Sequence, residues 1–473
     1  MTMQYRVAVI LTALAAAAGA ARAQQPTTPD TSAAQRLLAS NVRRVSLQEA
    51  LELGRENAPA MVQAQQNVRL SDMGKMQAWA AYLPTVSGTG SATRNSPQRV
   101  NQFGSAQVNP ITDNSSFGLQ ASINLFTGFQ RGANSRLAAA NAEMNEAALI
   151  GQQYTTDLAT KQAFFTELAN EELVTVAQTQ VRRSQEQLKL TSEKLRLGAT
   201  TRADSLQAQV DYGTQELAFI QAQANARNAQ ANLARAIGVI GTVVAARDTM
   251  LEVRIASMDT AALRREALAN APAVVQAQAG VAAAQASLAS YRAVYFPTLS
   301  LSARQTWAGS QLPWNAAPLQ MNITRNPADT SLRDTTLFRN PKYTGTWSVG
   351  LSLNIPIFNG FQREANVVSA DANLVTAQAR LRDAHLLLDA NLTQALAALD
   401  AASQQIDVSR TTVAAAQENL RMQRERYRLG ASTIVDMLTA EVSTNQAEVG
   451  LVQARYNYLI ARAQLEAYVG HSL

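Results

Sequence analysis

Lys194-Leu195-Arg196-Leu197-Gly198-Ala199-Thr200-Thr201 and Arg426-Tyr427-Arg428-Leu429-Gly430-Ala431-Ser432-Thr433 stand 232 residues apart and read almost alike. Each lies between two long runs rich in Ala, Gln and Leu that lack Gly-Pro punctuation. A Gly closing such a run supplies the left-handed residue that stops a helix. Thr201-x-x-Asp204 and Thr433-x-x-Asp436 then follow, a hydroxyl and a carboxylate spaced to satisfy the first free N–H groups of a new helix. Each stretch is therefore the tip of an antiparallel helical hairpin, and the chain makes this hairpin twice.

Outward from the tips, further landmarks pair up. Asn57-Ala58-Pro59 matches Asn270-Ala271-Pro272, and Leu83-Pro84-Thr85 matches Phe296-Pro297-Thr298, both 213 residues apart. Phe126-Thr127-Gly128-Phe129-Gln130-Arg131 matches Phe358-Asn359-Gly360-Phe361-Gln362-Arg363 at 232, so the second half carries 19 extra residues between Pro297 and Phe358. An internal repeat overrides the two or three domains that 473 residues alone suggest. The expected organisation is a signal peptide at 1–23, an N-terminal linker at 24–45, repeat 1 at 46–240, an equatorial linker at 241–258 and repeat 2 at 259–473. Residues 131–197 and 363–429 predict two helices of 67 residues, each about 100 Å long. The shorter runs 59–83 with 201–237, and 272–296 with 433–469, add up to nearly that length. Two short helices stacked end to end can therefore pair along one long one, with small amphipathic helices at 46–56 and 259–269.

Leu392, Leu399, Ile406, Val413, Leu420 and Tyr427 lie seven apart, as do Leu374, Leu381, Leu388, Ala395 and Ala402. Val174, Val181, Leu188 and Leu195 repeat the step with Glu167 breaking the series, and Val442, Val449, Tyr456 and Ala463 keep it on the last helix. This period signals supercoiled, knobs-into-holes packing.

The segments between the helices decide against a plain soluble bundle. Phe117, Leu119, Ala121, Ile123 and Leu125 alternate with Ser116, Gly118, Gln120, Ser122 and Asn124. Trp347, Val349, Leu351, Leu353, Ile355 and Ile357 alternate with Ser348, Gly350, Ser352 and Asn354, and residues 85–93 and 298–307 alternate more weakly. This is the length and pattern of transmembrane β-strands. Aromatic residues at the strand ends, Trp79, Tyr82, Phe126, Phe129, Tyr295, Phe296, Phe358 and Phe361 at one and Trp307, Trp314 and Trp347 at the other, fit two interfacial girdles. Four strands leave unpaired edges that hydrocarbon does not tolerate, and four cannot close. Three chains supply a shared barrel of about twelve strands, an even number within the bacterial outer-membrane range. The fold class is thus mainly α with a membrane β-barrel: a trimeric channel-tunnel whose helices continue as a long α-helical barrel.

Arg6, the apolar run Val7 to Ala20 and Ala21-Arg22-Ala23 predict a cleaved secretory signal. Its loss leaves 39 basic against 35 acidic residues, too little excess to argue for nucleic acid. There is no cysteine, and His385 and His471 are the two histidines. No Gly-rich phosphate loop, metal-ligand spacing or acid pair can be assembled, so no enzyme activity, cofactor or metal is expected.

The duplicated layout, the Leu-Pro-Thr and Phe-Pro-Thr strand entries, the two Leu-Gly tips, Thr433-Ile434-Val435-Asp436-Met437-Leu438 and Ala454-Arg455-Tyr456-Asn457-Tyr458-Leu459-Ile460 together resemble the TolC-like outer-membrane factors of bacterial efflux and type I secretion. The resemblance spans about residues 46–472. It implies a homotrimer in outer-membrane lipid, a tunnel in the periplasm, and partners in a periplasmic adaptor and an inner-membrane pump. It also implies a periplasmic gate at Asp436, Asp204 and Tyr427, with Asp436 at a ring position and Tyr427 and Asp204 as a tyrosine–aspartate link. A second ring acid of some members is Thr439 here, and the family's linking arginine is Ser432. The tips Leu197, Gly198, Leu429 and Gly430 are the implied adaptor-docking points. The bland reading of Asp204 and Asp436 is a carboxylate at a helix start. Drugs, metals, polysaccharide or a secreted protein would all pass a polar tube. The rival for the whole chain is a structural periplasmic coiled coil without channel activity.

Overall fold

A computed structural model describes residues 43–95, 98–102, 105–109, 112–247, 263–265, 267, 271–311 and 344–470. The expected signal segment, most of the N-terminal linker, residues 248–262, the core of the long outer loop (312–343) and His471 lie outside the described residues. Of the small helix expected at 259–269, Leu263–Arg265 and Ala267 are described and are helical. The chain divides into two compact units. One gathers the chain up to Gln65 with Ala148–Pro272 and His385 onward; the other gathers Gln66–Ala147 and Ala273–Ala384.

The second unit is built on a four-stranded antiparallel sheet of β2 (Thr85–Asn95), β5 (Thr112–Thr127), β7 (Thr298–Gln311) and β8 (Thr344–Asn354), in the order β2-β5-β7-β8. Its register puts alternate residues in line: Val86, Ala121, Ala303 and Val349 in one row, and Ser87, Gln120, Arg304 and Ser348 in the next. The period-2 pattern therefore segregates an apolar face from a polar one. On the apolar face Val86, Trp347, Val349, Leu351 and Leu353 are exposed, Trp347 by 76%. Phe117 stacks on Trp307 at 5.8 Å. β5 is longer than its clean alternation suggests, and a second hairpin, β3 (Gln98–Gln102) with β4 (Ser105–Asn109), is inserted between β2 and β5. β8 ends at Asn354, short of the expected Ile357, because Pro356 has no N–H for a ladder. A bulge between Asn124 and Phe126 skips Leu125.

Two helices lead into this sheet, α2 (Pro59–Ala80) and α5 (Pro272–Ala293), and two lead out, α3 (Gln130–Arg196) and α6 (Gln362–Arg428). Both exits turn in the same way. Gly128 and Phe129 have φ of 61° and 69°, and Gly360 and Phe361 have 67° and 64°. Two successive left-handed residues swing the strand end into the helix. The following arginine then takes up freed carbonyls. Arg131 donates to Leu125 O at 2.9 Å and stacks on the Tyr82 ring at 4.7 Å. Arg363 donates to Pro356 O and Ile357 O and stacks on Tyr295 at 5.0 Å.

The first unit holds α1 (Leu47–Asn57), the remaining parts of α3 and α6, α4 (Arg202–Ala236) and α7 (Ile434–Val469). Both 67-residue helices sit one residue N-terminal of the expected spans. On α6 the expected heptad rows are buried at Leu388, Leu392, Ala395, Leu399, Ala402, Ile406, Leu420 and Tyr427. On α3 the buried row within the chain is rotated from the expected one: Ala177, Ser184 and Thr191 are buried while Val174, Val181 and Leu188 are half-buried. On α7 the expected row is buried at Tyr456 and Ala463, Val442 is 45% exposed, and Leu438, Asn445, Val452 and Leu459 form a further buried row. Small and hydroxyl side chains let helices approach closely, so the buried row on α3 is not the most apolar one.

A parallel two-stranded ribbon, β1 (Arg43–Val45) with β6 (Val243–Ala245), joins both expected linkers. Val45, Val243, Val244 and Ala245 are all buried. Glu167, the residue that interrupts the α3 heptads, explains itself here: its fully buried carboxylate accepts the Ala245 N–H at 3.1 Å. Burial pushes that carboxyl up to about 7, opposed by the Ala245 hydrogen bond.

Candidate functional site

The tips form from local chemistry. At the first, the Ala199 N–H bonds to Lys194 O at 2.8 Å, with Gly198 at φ 69°; at the second, the Ala431 N–H bonds to Arg426 O at 2.7 Å, with Gly430 at φ 75°. These are six-to-one helix closures that only a left-handed residue permits. A side chain on either glycine would meet no neighbouring atom within 4 Å, so conformation alone demands Gly. Leu197 and Leu429 stand 77% and 80% exposed at the extremities.

Both following helices open with a capping box. The Asp204 carboxylate accepts from Thr200 Oγ1 at 2.7 Å and from the Thr201 N–H at 3.1 Å. The Asp436 carboxylate accepts from Thr433 Oγ1 at 2.7 Å and from the Thr433 N–H at 3.1 Å. These bonds favour the ionised form. The Thr200 hydroxyl foremost holds Asp204 below the usual carboxylate range, and the Thr433 hydroxyl foremost does so for Asp436, with Arg426 adding to it.

Asp204 and Tyr427 are not brought together as a linked pair in the chain. The Tyr427 ring is buried against Ala208, Ile434, Met437 and Leu438, and its hydroxyl has no hydrogen-bond partner among the described residues. Lys194 Nζ instead sits 4.3 Å from the ring centre and donates to Tyr427 O at 3.2 Å. Ser432, at the expected arginine position, reaches Gln423 O at 3.5 Å, and the Thr439 hydroxyl bonds back to Val435 O at 2.8 Å.

Behind the tips lies a charged layer that the heptad pattern gave no reason to single out. Glu441 is buried on α7 with Arg424 at 3.3 Å, and Arg183 holds Glu448 through two bonds of 3.1 and 2.9 Å, with Gln417 also donating to Glu448. Burial raises the Glu441 carboxyl, with Arg424 pulling the other way, and burial likewise raises Asp211. The signal available in the sequence is that Glu441 and Asn445 stand four residues apart, on one face of the helix. Among the described residues no group of three or more His, Cys, Asp or Glu could hold a metal, and no helix is long and apolar enough to cross a membrane.

The outer membrane efflux protein family matches this chain over residues 50–239 and 263–471. Outer membrane protein TolC of Escherichia coli (strain K12) is 25% identical over 323 residues, which are 67% of this chain and 62% of TolC. Protein CyaE of Bordetella pertussis is 27% identical over 357 residues, 72% of this chain and 66% of CyaE. The aligned stretches thus span less than two thirds of these two relatives. The crystal structure of CusC shares the fold, with a TM-score of 0.73 at 19% identity over 91% of this chain and 94% of CusC. With its long helices, its four-stranded sheet and a match across most of its length, the chain belongs to the outer membrane efflux protein family.

Proposed function

We propose that three copies of this chain form an outer-membrane exit channel, serving a tripartite efflux or type I secretion system. The observation that carries this reading is the sheet. β2 and β8 are its outer strands, and the apolar face bearing Val86, Trp347, Val349, Leu351 and Leu353 is uncovered. Such a face is stable in hydrocarbon, but its open edges are not, at several kcal/mol for each unpaired group. Pairing β2 of one copy with β8 of the next removes every edge and gives a barrel of about twelve strands. The polar rows of Ser87, Gln120, Arg304 and Ser348 then line a water-filled lumen. A soluble coiled coil has no use for this face.

The chain is organised as two repeats, 46–240 and 259–473, each of helix, strand pair and long helical hairpin, and the hairpins continue the conduit into the periplasm. The exposed Leu197 and Leu429 offer apolar contacts to adaptor hairpins, and the adaptor links the channel to an inner-membrane pump. Three copies of Asp436, held ionised by Thr433, stand at the narrow end as a cation-attracting ring. Tyr427 and Asp204 belong to the same gate, with the Tyr427 ring buried in the apolar cluster behind the tip. No catalysis or cofactor is involved.

The test is purification from outer membranes in detergent, sizing by light scattering, and conductance in planar bilayers. A detergent-requiring trimer that conducts is expected. A monomer with intact strands, or a trimer released by salt without detergent, would defeat the shared barrel.

A further inference from the structure

Directly below the strand ends, the second unit contains a cavity of about 420 Å³ between the start of α3, the end of α5 and Leu374 of α6. Its floor is apolar, formed by Phe129, Leu288 and Phe296, and the rings of Phe129 and Phe296 meet edge to face at 5.9 Å. Two arginines, Arg136 and Arg292, line it, and no carboxylate does. Neither guanidinium makes an ion pair among the described residues. Arg136 makes one long bond to its own helix, at 3.4 Å to Gly132 O, and Arg292 has no ion-pair partner among the described residues. The positive end of α3 opens onto the same space with no acidic residue in its first turn.

The cavity is built by backbone that tolerates little change. A side chain on Gly128 would lie 2.5 Å from Ala293 O and 2.6 Å from the Phe296 side chain, and Phe129 is held at φ 69°, a conformation costly for an aromatic residue. That turn presents the Phe129 ring, 70% exposed, to the cavity.

We propose that this cavity binds one phospholipid of the periplasmic leaflet. The phosphodiester sits between Arg136 and Arg292, and an acyl chain runs over Phe129, Leu288 and Phe296. Charge complementarity selects the anionic head group, and the apolar floor selects a chain over a bare anion. The assignment rests on the channel reading, because the membrane boundary must fall at the strand ends to bring lipid to this level.

The test uses the full-length protein purified from outer membranes. Membrane fractionation and sizing come first. A chain that is not a membrane trimer would overturn the channel reading and the lipid site with it. Trimers are then stripped of lipid with detergent and titrated with phosphatidylglycerol, read by native mass spectrometry. Binding that saturates at one lipid per protomer is expected. The double variant Arg136→Ala/Arg292→Ala, which changes exposed residues and therefore folds, should weaken it by at least about tenfold. Leu288→Trp, which fills the floor, should weaken it with both arginines present. Millimolar inorganic phosphate should fail to displace the lipid. Equal binding by the double variant, or displacement by phosphate, in protein that is a membrane trimer would overturn the lipid site and leave the channel reading standing.

Discussion

Glu167→Gln isolates one buried carboxyl whose cost can be worked from its surroundings. Glu167 is fully buried, one oxygen accepts the Ala245 N–H, and burial pushes the group up to about 7. Below the unfolded-chain value of roughly 4.5 both states hold the proton and pH has no effect through this site. Between about 4.5 and 7 the unfolded chain releases it while the folded chain keeps it. The unfolded state then binds fewer protons, and stability falls as pH rises. At about 1.4 kcal/mol for each pH unit, the fall sums to roughly 3 kcal/mol and levels off above pH 7, where the folded chain ionises too. Glutamine keeps an acceptor for Ala245 and cannot ionise, and the amide of Gln230 lies beside it as a partner. The variant should lose this descent. Amide exchange at β6, followed by mass spectrometry from pH 5 to 8 and corrected for intrinsic rates, reads the local opening energy. Wild type should open progressively more easily up to pH 7, and the variant should not. Parallel pH profiles would refute the buried, proton-holding carboxyl.

Leu351→Arg places a charge on the exposed apolar face of β8; on the lipid side of a barrel it should cost roughly 2–4 kcal/mol and reduce trimer recovery from membranes, whereas Ser348→Arg, on the polar face, should be recovered normally. Leu197→Asp with Leu429→Asp should abolish export while conductance of the purified trimer is unchanged, since both side chains touch water and not the fold; unchanged export, read as cellular drug susceptibility or secreted protein, would move docking elsewhere. Asp436→Asn should lower cation selectivity in bilayers, and Asp204→Asn should lower it less; equal effects would remove Asp436 from the ring. Arg183→Ala strands Glu448 partly buried without its bidentate partner, and should cost about 2 kcal/mol or more of stability in chemical unfolding, largely recovered when Glu448→Gln is added.

The tips, the long helices and the strand faces were legible because their causes are local. Leu197-Gly198 and Leu429-Gly430 stop helices by backbone conformation, Thr201 and Thr433 start the next ones through bonds spanning three residues, and a period of two or seven fixes which side chains share a face. The TolC-like resemblance was legible for the same reason, as it rests on these repeated local signals. The β1–β6 ribbon was not. Three-residue strands two hundred residues apart leave no periodicity, and their pairing, Arg43 with Val243 through Val45 with Ala245, shows only in the folded chain. Seam choice on α3 was equally hidden, because several heptad rows are apolar enough and only the folded chain shows that the Ser184 and Thr191 row is the buried one. The carboxylates show the same division. Thr-x-x-Asp states that Asp204 and Asp436 cap their helices, but only the folded chain shows Tyr427 buried against Ala208, Ile434, Met437 and Leu438 with Lys194 over its ring. Local sequence determines where helices and strands begin and which way they face; which faces meet is decided by close packing and by the need of each buried polar group for a partner, conditions that exist only in three dimensions.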